Sequence, residues 1–161
     1  MNIFVLDRDP TLAAQFHCDK HVVKMVLESA QMLSATHTLL DGKQDGLYKL
    51  THANHPCTKW VRESNNNYNW LYCLFSALCT EYTFRYGKTH LCATKFLDRF
   101  MEPPRNIPVG YKTLQPMAMP PQYQVQDVVE SYRNYYKADK AYFAKWEKSR
   151  PAPDWWPKET S

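Results

Sequence analysis

Four side chains able to handle protons or charge recur at helical spacing near the start of the chain: His17, His21, Lys24 and Glu28. At about 100° per residue they fall within an arc of roughly 60°. The other directions of that stretch hold Val22, Val23, Met25, Val26, Leu27, Ala30 and Leu33. A helix that is apolar nearly all round belongs at the centre of a fold, so its one polar stripe has to face a cleft, a partner or a ligand. Glu28, set among Met25, Val26 and Leu27, is then a candidate general acid or base, with His21 and Lys24 beside it. Satisfied core residues, His21 and Glu28 holding neighbouring helices together, are the bland explanation; it suits a lone histidine better than four groups in register.

A second constellation follows. His52, Asn54 and His55 precede Pro56, and the next helical stretch offers Lys59, Arg62 and Asn66 on one side. Proline at a helix start leaves backbone N–H groups and the positive dipole end near His55 and Lys59, which suits a phosphate. An ordinary charged helix start explains the same residues about as well. Near the C-terminus Arg133, Lys137 and Lys140 lie on one side of a helical pattern that carries Tyr132, Tyr135, Tyr142 and Trp146 on another. Cations beside aromatics suit a nucleic-acid backbone, although a solvated basic face over an aromatic core accounts for the pattern too. The His17–His21 pair, with His52, His55 and Cys57, has some zinc-like character. No full zinc-finger or H-E-x-x-H spacing is present, and Lys24 on the same stripe repels a dication, so no metal and no cofactor are expected.

The elements that must position these groups are legible from periodicity and punctuation. Residues 2–6 read as a short buried strand or extended arm. Asp9-Pro10 starts a helix that holds to about Leu40 and ends at Asp41-Gly42. A second stretch runs from about Cys57 to Tyr86, where Asn65-Asn66-Asn67 marks a kink or a break. Residues 89–101 give a shorter amphipathic helix, and a last helix spans about 125–148. The expectation is an all-α fold: one mostly helical domain over residues 1–161, with well over half the chain in helices. An irregular proline-rich segment (102–124) and a docked tail (150–161) complete it.

A chain of 161 residues with 44 % hydrophobic content buries a real core and is not disordered. A net charge of +4 is compatible with nucleic acid without naming it. Five cysteines, odd in number and without a C-x-x-C pair, argue against a disulfide framework. With no signal-like start and no long apolar run, no membrane association is expected and a reducing cytoplasm is the expected setting.

Asp19-Lys20-His21-Val22 followed by Glu28 is similar to a segment of the pyrimidine-dimer DNA glycosylases, the small helical phage-type enzymes also called endonuclease V. Asn54-His55-Pro56 before a long helix resembles another element of that family, and the aromatic, lysine-rich C-terminal helix and tryptophan tail fit its layout. The chain also has the look of a phage-encoded protein, which would place it in the host cytoplasm. The resemblance implies a compact bundle that binds double-stranded DNA, reaches a damaged or modified pyrimidine and uses Glu28 as its central carboxylate. It carries His21 over as a groove or phosphate contact and His55 as a site-lining residue. Family members attack with the amine of a small residue freed by loss of the initiator methionine. Asn2 is large enough to disfavour that trimming, so Lys24 or a water activated by Glu28 is the expected nucleophile. Two other functions fit the same residues. One is a transferase placing an amine or amino acid on an activated 5-hydroxymethyl pyrimidine in DNA, with Lys59 and Arg62 taking the leaving phosphate. The other is a non-catalytic module binding nucleic acid or a host protein.

Overall fold

The computed structural model describes residues 1–158 and contains helices joined by irregular segments, with no strand among the described residues. The chain opens as an extended arm whose Ile3, Phe4, Val5 and Leu6 are all buried. Asp9 caps α1 (Pro10–Phe16), its carboxylate accepting the Thr11 N–H at 2.9 Å. α2 (Asp19–Asp41) ends at Gly42, whose φ of 91° reverses the chain at little steric cost. α3 (Pro56–Glu63) and α4 (Asn65–Tyr86) follow, then α5 (Leu91–Phe96), a 3-10 turn (Pro121–Tyr123) and α6 (Val128–Asp139).

The all-α expectation holds, but the helices are shorter than periodicity suggests and cover about half of the described residues. The stretch expected as one helix from 10 to 40 is two, because His17 and Cys18 are extended. Partners far along the chain fix that break. The Asp19 N–H donates to the Lys145 carbonyl (2.8 Å), and the Asp19 carboxylate accepts from the Glu147 N–H (2.7 Å) and from Arg85 (3.1 Å). Arg85 also donates to the carbonyls of His17 and Gln15, and pairs with Glu81 at 2.9 Å. The second stretch divides at Ser64, whose hydroxyl caps α4 by accepting the Asn67 N–H.

α2 and α4 share the centre: α4 packs on α1, α2, α3 and α5, and α2 on α3, α4 and α5. Met25, Val26, Ala30 and Leu33 of α2 join Leu71, Leu74, Phe75 and Leu78 of α4 in one buried core. Trp146 and Trp156 pack edge to face, and Arg150 reaches Glu81 at 2.8 Å. The tail expected to dock continues to Ser161; its last three residues lie outside those described.

Candidate functional site

The arm is laid along α2, and this decides where the polar stripe faces. Phe4 packs on the His21 ring at 4.6 Å, and the α-amine of Met1 lies 3.3 Å from Glu28 Oε1. The two lengths match: seven residues of helix rise about 10 Å, as do three extended residues. His21 and Glu28 therefore form part of the bed of the chain's own N-terminal arm.

Asn2 fixes the register of the arm. Its side-chain N–H donates to the Ala118 carbonyl (3.0 Å), and its Oδ1 lies 3.1 Å from the Tyr132 hydroxyl and 3.5 Å from Cys57 Sγ. The proline-rich segment, α6 and α3 thus all hold the residue next to Met1. The Met1 side chain is only 3 % exposed although the residue as a whole is half-buried, so its exposure lies on main-chain atoms.

His55 completes the group. It caps α3, its Nδ1 accepting the Cys57 N–H at 3.1 Å, so the neutral ring carries its proton on Nε2. Burial lowers its pKa; the nearby Met1 amine and His52 lower it further, while Glu28 opposes them. His52, at φ 53°, makes the turn that delivers His55, whose N–H donates to the His52 carbonyl. The Cys57 thiol beneath is pushed up to about 11 by burial and is no nucleophile at neutral pH.

The four-residue stripe does not exist as one face. His17 lies at the end of α1, fully buried, with Nδ1–H donating to the Ala13 carbonyl at 2.6 Å. His21 is 3 % exposed, bonded to the Tyr136 hydroxyl at 2.7 Å and packed on Phe143; burial holds its pKa far below the ordinary value. Both are core tethers in this structure and neither is open to a groove or a substrate. Lys24 is exposed on α2, one turn before Glu28. Among the described residues no group of three or more His, Cys, Asp or Glu side chains is arranged to hold a metal ion.

Several expected phosphate contacts are committed elsewhere. Arg62 donates to the Ala53 carbonyl at 2.6 Å, and Asn66 to the Gly110 carbonyl. Arg133 holds the Leu6 carbonyl at 2.9 Å and Asp7 at 3.1 Å. Lys140 lies past the end of α6, over the Tyr135 ring at 4.7 Å. The anion site expected at the start of α3 is largely spent: Pro56 has no N–H, His55 takes that of Cys57, and the Lys59 N–H goes to the His55 carbonyl. Asn54, Lys59 and Lys137 are exposed.

Sequence reasoning missed the amine as a neighbour of Glu28, and with it Asn2 and Tyr132. A signal was present: a buried apolar arm followed directly by a helix start can only lie on the core, carrying residue 1 with it. A cavity of about 740 Å³, lined by Val5, Arg8, Lys112, Leu114 and the start of α6, does not include this group.

No curated protein and no solved structure matches the chain. A family model does match, over residues 1–94, the part that carries the arm, Glu28, His55 and α1 to α4. With more than half of its length matched, the chain belongs to the pyrimidine dimer DNA glycosylase family, whose members act on DNA.

Proposed function

We propose that this chain releases a damaged or modified pyrimidine from double-stranded DNA, with Glu28 as the catalytic carboxylate and the Met1 α-amine as the nucleophile. The observation that carries this reading is the 3.3 Å approach of that amine to Glu28 Oε1. Lys24 becomes the runner-up amine.

The chemistry follows from the pair. Glu28 takes a proton from the ammonium, and the freed amine attacks the deoxyribose carbon that bears the base. The glycosidic bond breaks, and the departing pyrimidine anion takes up, through solvent, the proton that the newly bonded nitrogen must shed before it can form a double bond. Glu28 returns its proton to the ring oxygen as the sugar opens, leaving an imine between Met1 and the sugar. The Nε2–H of His55 is a donor for a phosphate or for a pyrimidine carbonyl.

Borohydride reduction tests the assignment by freezing such an imine. A covalent protein–DNA adduct mapping to Met1 is expected, retained in Lys24→Gln and lost when one residue is added before Met1. An adduct at Lys24, or base release without an adduct, overturns the amine assignment. Nucleosides altered but still attached to DNA would move the reaction to the transferase class.

A further inference from the structure

The segment Pro108 to Gln115 combines two properties that rarely coincide: apolar side chains in water and a backbone held fast. Val109 is 90 % exposed, Tyr111 92 % and Leu114 76 %. The backbone beneath them is clamped to the α3–α4 junction. The Asn65 N–H donates to the Pro108 carbonyl, and Asn65 Oδ1 accepts the Gly110 N–H at 3.0 Å. Asn66 donates to the Gly110 carbonyl and Ser64 Oγ to that of Tyr111 at 3.2 Å. Asn67 Oδ1 accepts the Thr113 N–H at 2.9 Å, and Trp60 Nε1 donates to the Thr113 carbonyl. The Asn65-Asn66-Asn67 run is poor helix material, and this clamp is what it does.

Ordering a loop in order to hold a tyrosine in water lowers stability unless the ring has somewhere to go. The surroundings point to duplex DNA. Leu114 and Pro116 line a hollow of about 320 Å³ with Asn54, Pro56 and Lys59, beside the turn that carries His55. Two residues further on, Ala118 is the carbonyl held by Asn2. The loop is therefore continuous with the Met1–Glu28 group. On its other side Arg8 and Lys112 line one cavity with Leu114, and burial first, then the Arg8 charge, works against the charged form of Lys112. Two cations brought together in this way are relieved by a phosphate. Asp127 and Glu130 share that rim, but Asp127 is committed to capping α6 and reaches Arg8 only at 3.9 Å.

We infer that the 109–114 loop is a wedge that enters the base stack of the bound duplex, with Tyr111 as the inserting ring. A base buried in a duplex is out of reach until the stack opens, and a pre-ordered aromatic supplies a surface to hold the gap. The inference rests on the DNA reading above and adds how the stack is opened.

The test uses the whole chain, a duplex with 2-aminopurine beside an abasic-site analogue, and a second duplex in which the target nucleotide is already bulged out. Wild type is expected to raise 2-aminopurine fluorescence on binding. Tyr111→Ala should lose most of that rise and bind the first duplex about tenfold more weakly. It should bind the bulged duplex like wild type and melt at an unchanged temperature, while Tyr111→Trp restores both signals. Unstacking by Tyr111→Ala equal to wild type overturns the wedge and leaves the glycosylase reading intact, as does an equal loss on both duplexes. Failure of wild type to bind either duplex removes both readings together.

Discussion

Glu28 and His55 are each held by one identifiable contact, and that makes their roles separable. Glu28 is 16 % exposed and its partner is the Met1 amine, not His21 or Lys24. Glutamine keeps the shape of the side chain and an oxygen that can accept from the amine. Glu28→Gln should therefore leave the melting temperature within a few degrees of wild type, while base release falls by roughly 10²–10⁴-fold. Unaltered release, or a large loss of stability, would make Glu28 a tether for the arm. His55 serves α3 through Nδ1 and leaves Nε2–H for a ligand. His55→Asn keeps an oxygen that can accept the Cys57 N–H, so stability should hold while turnover drops at least tenfold. His55→Ala should lose the cap as well, about 1 kcal/mol. Equal turnover in wild type and His55→Asn would confine His55 to capping. Glu28 was legible in the sequence because a carboxylate on an apolar helix needs a partner or a task. The partner was not, since it comes from the first residue of an arm whose register is set by Ala118, Tyr132 and Cys57.

The junction between α1 and α2 shows how an element boundary is set from a distance. Phe16-His17-Cys18-Asp19 contains no glycine or proline, and its apolar periodicity runs straight through. The chain breaks there because Arg85, Lys145 and Glu147 bind its backbone and Asp19. The Ser64 break was readable because serine before three asparagines is a capping signal. Breaking the helix at His17 has a consequence in acid. Its Nδ1–H donates to Ala13, and its buried Nε2 has no partner in the described structure, so a second proton finds no acceptor. Burial takes its pKa from 6.5 to about 4, and that of His21 moves the same way. A histidine whose folded pKa is lowered stays neutral in the folded chain but binds a proton once unfolded. Stability is thus full above pH 6.5 and is lost as pH falls from 6.5 toward 4, by up to about 3 kcal/mol for His17 alone. The melting temperature should drop measurably between pH 7 and pH 5, before most carboxylates titrate. A flat profile over that interval would mean that His17 is not buried neutral.

For the molecule as a whole, a net charge of +4 conceals two populations of cations. Arg62, Arg85 and Arg133 are spent on carbonyls and carboxylates that fix the turn before α3, the α1–α2 junction and the arm. Lys24, Lys59, Lys112 and Lys137 are exposed on the surface and remain able to meet phosphates. The division was hidden in the sequence, where Arg133 and Lys137 share a helix face and look alike; only the fold brings the Leu6 carbonyl and Asp7 to the first of them. It predicts a difference that salt titration resolves. Each phosphate contact made by a lysine adds about one to the slope of log affinity against log salt. Lys59→Gln, next to the His55 turn, should lower that slope by about one on a pyrimidine-lesion duplex and leave the melting temperature alone. Arg133→Gln should do the reverse: it frees Asp7 and the Leu6 carbonyl, loosens the arm that carries Met1 and lowers the melting temperature, with the salt slope unchanged. Because the same arm places the amine, Arg133→Gln should also slow base release more than it weakens binding. If Arg133→Gln instead lowers the slope with no thermal cost, its guanidinium leaves the arm when DNA arrives, and the arm is a moving part of the enzyme rather than a fixed one.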